Sequence, residues 1–456
     1  MAITVDRFGH THTTGSRPAI AAFEAATLAV GAHRSIGDNL TRALELEPDL
    51  VSAWALRSVG CAMLARREMM AAASRDAEAA AAALSRVGGG TSSERVLVAA
   101  SRFTSCGRWN DAATALEAHL DHQPRDFLAL KMAHGLRFML GHQSAMLRTT
   151  SRALGKWGDG VPGYGFALGC HAFGLEEIGE YADAEAIGRS AVALEPSDVW
   201  GLHAVSHVME MSGRLAEGVA WLDKSRPLWP ACNNFRYHLG WHLALFKLEL
   251  DDCQSVLDVY DREVMPAASD DFRDMANAVS LLWRLRQAGT DVGDRWERLR
   301  EVAIHRQRDV TYVFASLHYL LALLANGEHA AAAELVGEMA RTGESDFGDQ
   351  STIAHDTGIT LARVMLSNWG RTTAAGTDLL QLARRLPTLG GSNAQRDLFM
   401  RILLVLASEG NDQAALAAIT KMRRELRRDD QFAQRLVKAR SLTAFGKSEL
   451  DSRFGT

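Results

Sequence analysis

Apolar positions recur at three- and four-residue spacing along most of the chain, the period of helices with one buried face. No window shows the two-residue alternation of a half-buried strand. Glycines interrupt the apolar segments at regular places. Gly107, Gly141, Gly179 and Gly213 stand 34, 38 and 34 residues apart, Asp251 takes the equivalent place 38 later, and Gly327, Gly370 and Gly410 continue the series. Pro48, Pro124, Pro196, Pro230 and Pro387 each follow a glycine (Gly31, Gly107, Gly179, Gly213, Gly370) by 17 residues. This spacing predicts one unit used many times: a helix, a glycine turn, a second helix and a proline stop. Small residues come five places after the glycine (Ala112, Ala184, Gly218, Ala332, Ala375, Ala415) and seven before it (Ala100, Ala172, Ser206, Ala244). They let the two helices of a unit approach closely. Ser or Asp after the proline caps the next helix, as in Pro196-Ser197-Asp198.

The fold class that follows is all-α: a right-handed superhelical solenoid of about nine helical hairpins with a concave inner face. Two hairpins are expected in residues 19–90, ending at the hinge Gly88-Gly89-Gly90, and five in residues 91–268. Residues 269–456 hold further pairs and a capping helix, the pair over 267–301 being irregular, and residues 1–18 form an N-terminal surface arm. Composition agrees: 9 prolines in 456 residues, where average usage would give roughly 23. A net charge of −5 offers no field for nucleic acid or an anionic membrane. The longest uncharged apolar run, Thr311 to Gly327, carries Ser316 and His318 and is too short for a span, so it reads as a buried helix. Five cysteines lack metal or redox spacing, most of them sit among apolar neighbours and read as reduced core thiols, and with no secretory leader the expected location is the cytoplasm.

Several strings carry a closer likeness. HAFGLEEIGEYADAE, DVWGLHAVSHVMEMSGR, YHLGWHLALF, VYDREVMP and LGGSNAQRDLF, with the opening DRFGHTHTTGS, resemble the tetratricopeptide repeat protein 38 family over nearly the whole chain. The resemblance implies an intracellular, all-helical repeat protein and implies no reaction.

In such a repeat the first helix of each pair lines the concave face. Counting 13, 10, 6 and 3 residues back from Gly213 gives Trp200, His203, His207 and Glu210 on one stripe. Two histidines at i and i+4 can share a metal ion, and Glu210 one turn on could complete the set, so His203, His207 and Glu210 are candidate ligands for a divalent metal. Neighbouring units add Glu176 on one side and His238, Trp241 and His242 on the other, and His134 stands where a small residue is the rule. Together these predict a polar, aromatic-rimmed pocket for a small molecule or peptide segment. The alternative is an enzyme, metal-assisted and hydrolytic, with Glu210 and His207 as an acid–base pair. The absence of HExxH order weighs against metalloprotease chemistry. His318 reads as a satisfied core histidine, Gly390-Gly391-Ser392 with Gln395, Arg396 and Asp397 as a helix cap, and Asp356 carries no assignment. Self-association is left open.

Overall fold

The computed structural model describes residues 2–346, 348–369, 377–427 and 429–436. Gly370 and Ala375 of the repeat pattern and the last part of the expected capping helix lie outside these residues.

Among the described residues, nine helical hairpins follow one another in chain order before the chain turns back. They are α1 (Arg17–Gly31) with α2 (Gly37–Leu46), α3 (Val51–Met63) with α4 (Arg67–Arg86), and α5 (Ser92–Ser105) with α6 (Trp109–His122). Next come α7 (Phe127–Met139) with α8 (Gln143–Leu154), α9 (Tyr164–Glu177) with α10 (Tyr181–Leu194), and α11 (Val199–Met211) with α12 (Leu215–Ser225). The last three are α13 (Phe235–Glu249) with α14 (Cys253–Val259), α15 (Phe272–Gln287) with α16 (Glu297–His305), and α17 (Val313–Ala325) with α18 (His329–Glu344). First helices of successive pairs lie side by side, as α9 does with α11 and α13 with α15. The chain is thus an all-α helical-repeat solenoid.

The small residues sit at the expected contacts. Ala100, Ala112, Ala172, Ala184, Ser206, Ala244 and Ala332 are all fully buried. The turn glycines Gly107, Gly141, Gly179, Gly213 and Gly327 adopt φ between +69° and +90°, and Asp251 takes the same left-handed place. At the last turn Asn411 is left-handed in place of Gly410. In 267–301 the second element is a 3-10 turn leading into the short α16, so this pair is irregular as expected.

Two features depart from an open solenoid. The first is the return of the chain after α18. α19 (Gly348–Ile353) runs through a π turn into α20 (Ile359–Trp369), followed by α21 (Leu379–Arg385), α22 (Asn393–Glu409) and α23 (Gln413–Leu426). α22 lies across the inner helices: Phe399 meets Phe314 and His318 of α17, Arg401 pairs with Glu249 of α13 at 2.9 Å, and Arg396 pairs with Glu177 of α9 at 3.1 Å. The returning segment also runs along the turns of the early units. Asp349 N–H donates to the Gly107 carbonyl (3.0 Å), and Gly391 N–H to that of Phe138 (3.2 Å). Gly141 is required there twice over: its φ is +69°, and a Cβ would overlap the Pro387 carbonyl oxygen. This chain's own α22 thus packs against part of the inner face, touching α9, α13, α15 and α17.

The second is the N-terminal segment, expected as a surface arm. It forms a short hairpin, β1 (Thr4–Val5) antiparallel to β2 (Thr11–His12). His12 is buried, its ring nitrogens 3.0 Å from Asp6 Oδ2 and 3.1 Å from Ser52 Oγ. Thr13 donates to Glu94 through its backbone and its hydroxyl (2.9 and 2.6 Å), which ties the segment to α5. Among the described residues no helix is long and apolar enough to cross a membrane.

Candidate functional site

α11 begins where Pro196 ends the preceding helix, and its i, i+4 spacing turns His203 and His207 to one side. α13 presents His238 and His242 by the same spacing. Because the two helices are first helices of consecutive units, the four rings meet between them. All four residues are at least nine-tenths buried. One nitrogen from each lies within 4.8 Å of the others. His203 Nε2 stands 2.8 Å from His207 Nε2 and 3.0 Å from His238 Nε2. Aromatic rings wall the cluster: Phe173 stacks on His203 (5.5 Å, 20°) and Trp241 on His238 (5.1 Å, 15°).

Outside the rings stand acceptors. His242 Nδ1 donates to Glu210 Oε2 at 3.1 Å, and His238 Nδ1 to Asn277 Oδ1 of α15 at 2.9 Å. His207 Nδ1 faces Glu176 Oε2 at 3.4 Å without a hydrogen bond. A neutral imidazole carries one proton. With theirs held at Nδ1, His238 and His242 turn bare Nε2 lone pairs inward. His203 has one proton for two short contacts, and among the described residues His242 Nε2 has no hydrogen-bond partner. Extra protons are not the remedy. Burial, acting first, and the neighbouring imidazoles lower His203, His238 and His242 well below the usual histidine value, and burial lowers His207 also. A cation placed where the lone pairs converge would meet all four rings.

The donor set fits a transition metal. Imidazole suits zinc, copper, iron and nickel, and a metal–nitrogen bond of about 2.0–2.1 Å implies tetrahedral nitrogen separations of about 3.3 Å. Two separations in the cluster, 2.8 and 3.0 Å, lie a few tenths below that, and all four nitrogens lie within 4.8 Å of one another. Carboxylate or amide acceptors behind the ligating rings are what orient imidazoles at metal sites.

Of the residues expected at the site, His203, His207, His238 and His242 come together. Glu210, expected as a ligand, stands behind His242, with its Oε1 3.7 Å from Arg427. Trp241 is a packing wall with Arg284 over its ring (5.7 Å). Trp200 donates from Nε1 to His134 Nε2 (3.1 Å), and burial holds His134 down at about 3. Glu176 is fully buried; burial, then Glu210, pushes its carboxyl up to about 8, and a second potential ligand group joins it with Glu177 and His207. Gln395 completes a capping box with Ser392, while Arg396 pairs with Glu177 and Asp397 with Arg401. Asp356 pairs with its neighbour His355 at the surface. The five cysteines are free, and burial pushes Cys170 up to about 11, which makes it a poor nucleophile.

Sequence reasoning missed two residues. Asn277 lies 39 residues after His238, one repeat on, and the irregularity of 267–301 hid that register. His33, left-handed at φ 51° in the turn after α1, stacks on Trp200 (5.3 Å), lies tilted against Phe235 (4.5 Å) and closes the aromatic wall.

No family profile matches the chain. Among solved structures, that of yeast Tom70 aligns over 95% of this chain and 90% of that one, at 12% identity and a TM-score of 0.34. That likeness is too loose to carry an argument about function. The resemblance to the tetratricopeptide repeat protein 38 family rests on the quoted strings alone.

Proposed function

We propose that this chain is a helical-repeat metal-binding protein that holds one divalent transition metal ion, zinc by donor type, on His203, His207, His238 and His242. The observation that carries this reading is the facing of inward Nε2 lone pairs in a buried space, with Glu210 and Asn277 holding the Nδ1 protons behind two of them. Four protein ligands close a tetrahedral shell, so the ion would join α11 to α13 and hold the inner face rather than offer an open position to substrate. In this reading the pocket ligand expected from the sequence narrows to an ion, because the four rings are buried and face one another. The acid–base alternative loses ground for a related reason: Glu210 is engaged by His242, and His207 by His203. All four histidines fall within strings that resemble the tetratricopeptide repeat protein 38 family, and proteins sharing those strings would share the site.

Elemental analysis of the full-length protein, purified without a metal-affinity step and dialysed against zinc, tests the reading. One zinc per chain is expected in the parent protein and none in His203→Ala/His207→Ala. Cobalt substituted for zinc should give the intense visible bands of a tetrahedral site. Equal, substoichiometric metal in parent and variant would sink the proposal.

A further inference from the structure

Beside the histidine cluster, on the side where the chain returns, lies a partly open pocket of about 130 Å³. Its floor is apolar: Met211 of α11, Ala383 and Leu386 around the end of α21, Met400 of α22, and Met422 and Leu426 of α23. Its polar lining is dominated by four arginines, Arg384, Arg396, Arg423 and Arg427, against Glu210 and Asp397.

These arginines differ in what they are free to do. Arg423 is fixed by both oxygens of Asp430 (2.6 and 3.0 Å) and by Asp397. Arg396 is held by Glu177, Asn393 and the Gly391 carbonyl. Arg427 is 93% buried, yet among the described residues its guanidinium makes no hydrogen bond; Glu210 Oε1 and Glu249 Oε1 both stand off at 3.7 Å. A guanidinium has five donors, so Arg427, balanced by these two carboxylates without a hydrogen bond to either, can still donate into the pocket it lines. Arg384, on the rim, is exposed and has no ion pair among the described residues.

The geometry points to a second binding site here, for a small monocarboxylate with an apolar body, the carboxylate bridging Arg427 and Arg384 and the body lying on Met211, Met400 and Met422. Methionine walls adapt to an irregular apolar shape. A cavity near 150 Å³ accepts a benzene ring, so roughly one aromatic ring or a short branched chain fits. An arginine takes a carboxylate through two parallel hydrogen bonds, and Arg427 has donors free of hydrogen bonds to give one. Inorganic phosphate answers the charge but leaves the apolar floor bare. The site does not depend on the metal, although it touches its support: Glu210 lines the pocket through the same carboxylate that holds His242.

Calorimetric titration of the full-length protein with benzoate, benzamide and inorganic phosphate tests this, run once on protein stripped with EDTA and once with zinc. Benzoate should bind both forms at least about tenfold more tightly than benzamide, the discrimination a charge-assisted hydrogen bond supplies. Arg427→Gln should weaken benzoate at least about tenfold while Arg427→Lys retains part of the affinity. Met400→Trp should fill the pocket and abolish binding with zinc content unchanged, a control that separates occlusion from misfolding. Equal binding of benzamide, binding of phosphate without benzoate, or full affinity in Arg427→Gln would each overturn the site. Failure of zinc binding alone, with benzoate still bound by the stripped protein, would count against the metal centre and leave this pocket standing.

Discussion

The inner helices bury histidine in two different ways. On α17, His318 is the isolated kind: its Nδ1 lies 2.8 Å from the Phe314 carbonyl one turn back, and Phe314 and Phe399 cover its ring. Burial lowers it to about 4, so it is neutral, satisfied and surrounded by carbon. On α11 and α13, four equally buried histidines face one another, and only His238 and His242 give their Nδ1 to an acceptor outside the cluster. Burial by itself therefore says nothing about function. What separates the two regions is the company each ring keeps: His318 stands between Phe314 and Phe399, whereas in the cluster ring nitrogens face other ring nitrogens. A lone imidazole is a polar packing group. Four with inward lone pairs form a ligand set.

The strongest way to break this comparison is to exchange the roles. His203→Ala/His207→Ala removes two of four ligands and should cost more zinc affinity than the roughly 100-fold lost when only a supporting partner is removed. His318→Leu should leave zinc content and affinity at the parent level. Thermal unfolding with and without zinc reads the same difference, since a ligand at a thousandfold its Kd stabilises by about 4 kcal/mol. The distinction fails if His318→Leu loses zinc as readily as the double variant.

His318 supplies the next effect through pH. Its folded-state value near 4 lies below the ordinary value of 6.5. The unfolded chain thus takes up a proton that the folded chain refuses. Stability is fully present above about pH 6.5 and falls as pH drops toward about 4, by roughly 3 kcal/mol for this one ring. In His318→Leu that contribution is absent, so urea midpoints of parent and variant should diverge on acidification, the variant holding up better. Parallel curves across that range would show that His318 does not sense burial as described.

Much of this architecture is written locally. Turn glycines and helix-ending prolines act within a few residues of themselves, so the register of the repeat could be read from spacing, and with it the stripe carrying His203 and His207. Glu210 was legible as a neighbour but not as a supporting group. At i+7 from His203 it sits one turn beyond the ring cluster, opposite His242, a placement fixed by how α13 packs on α11. The return of α22 left no local mark. Arg396 meets Glu177 across 219 residues, and a solvated helix and a helix buried in its own solenoid differ only in such partners. The N-terminal histidines misled for a like reason, since His12 is buried by Asp6 and by Ser52, the latter 40 residues away.

The smallest effect is the most discriminating. If acceptors behind the rings make the cluster a ligand set, weakening an acceptor should lower metal affinity while the ligands stay in place. Glu210→Gln keeps the size of the side chain and can still accept from His242 Nδ1, but it removes the negative charge that makes the opposite nitrogen a better donor to metal. Asn277→Ala removes a neutral acceptor from His238. Losses of about 10- to 100-fold in zinc affinity are expected for Glu210→Gln, and about tenfold for Asn277→Ala, the range known for such partners. Competition with a chromophoric chelator measures both. The two variants should still bind one zinc per chain and give the same tetrahedral cobalt spectrum, because the four nitrogens are untouched. Unchanged affinity in both would mean that the rings are held by packing against Phe173 and Trp241 alone, and that the cluster differs from His318 in number rather than in kind.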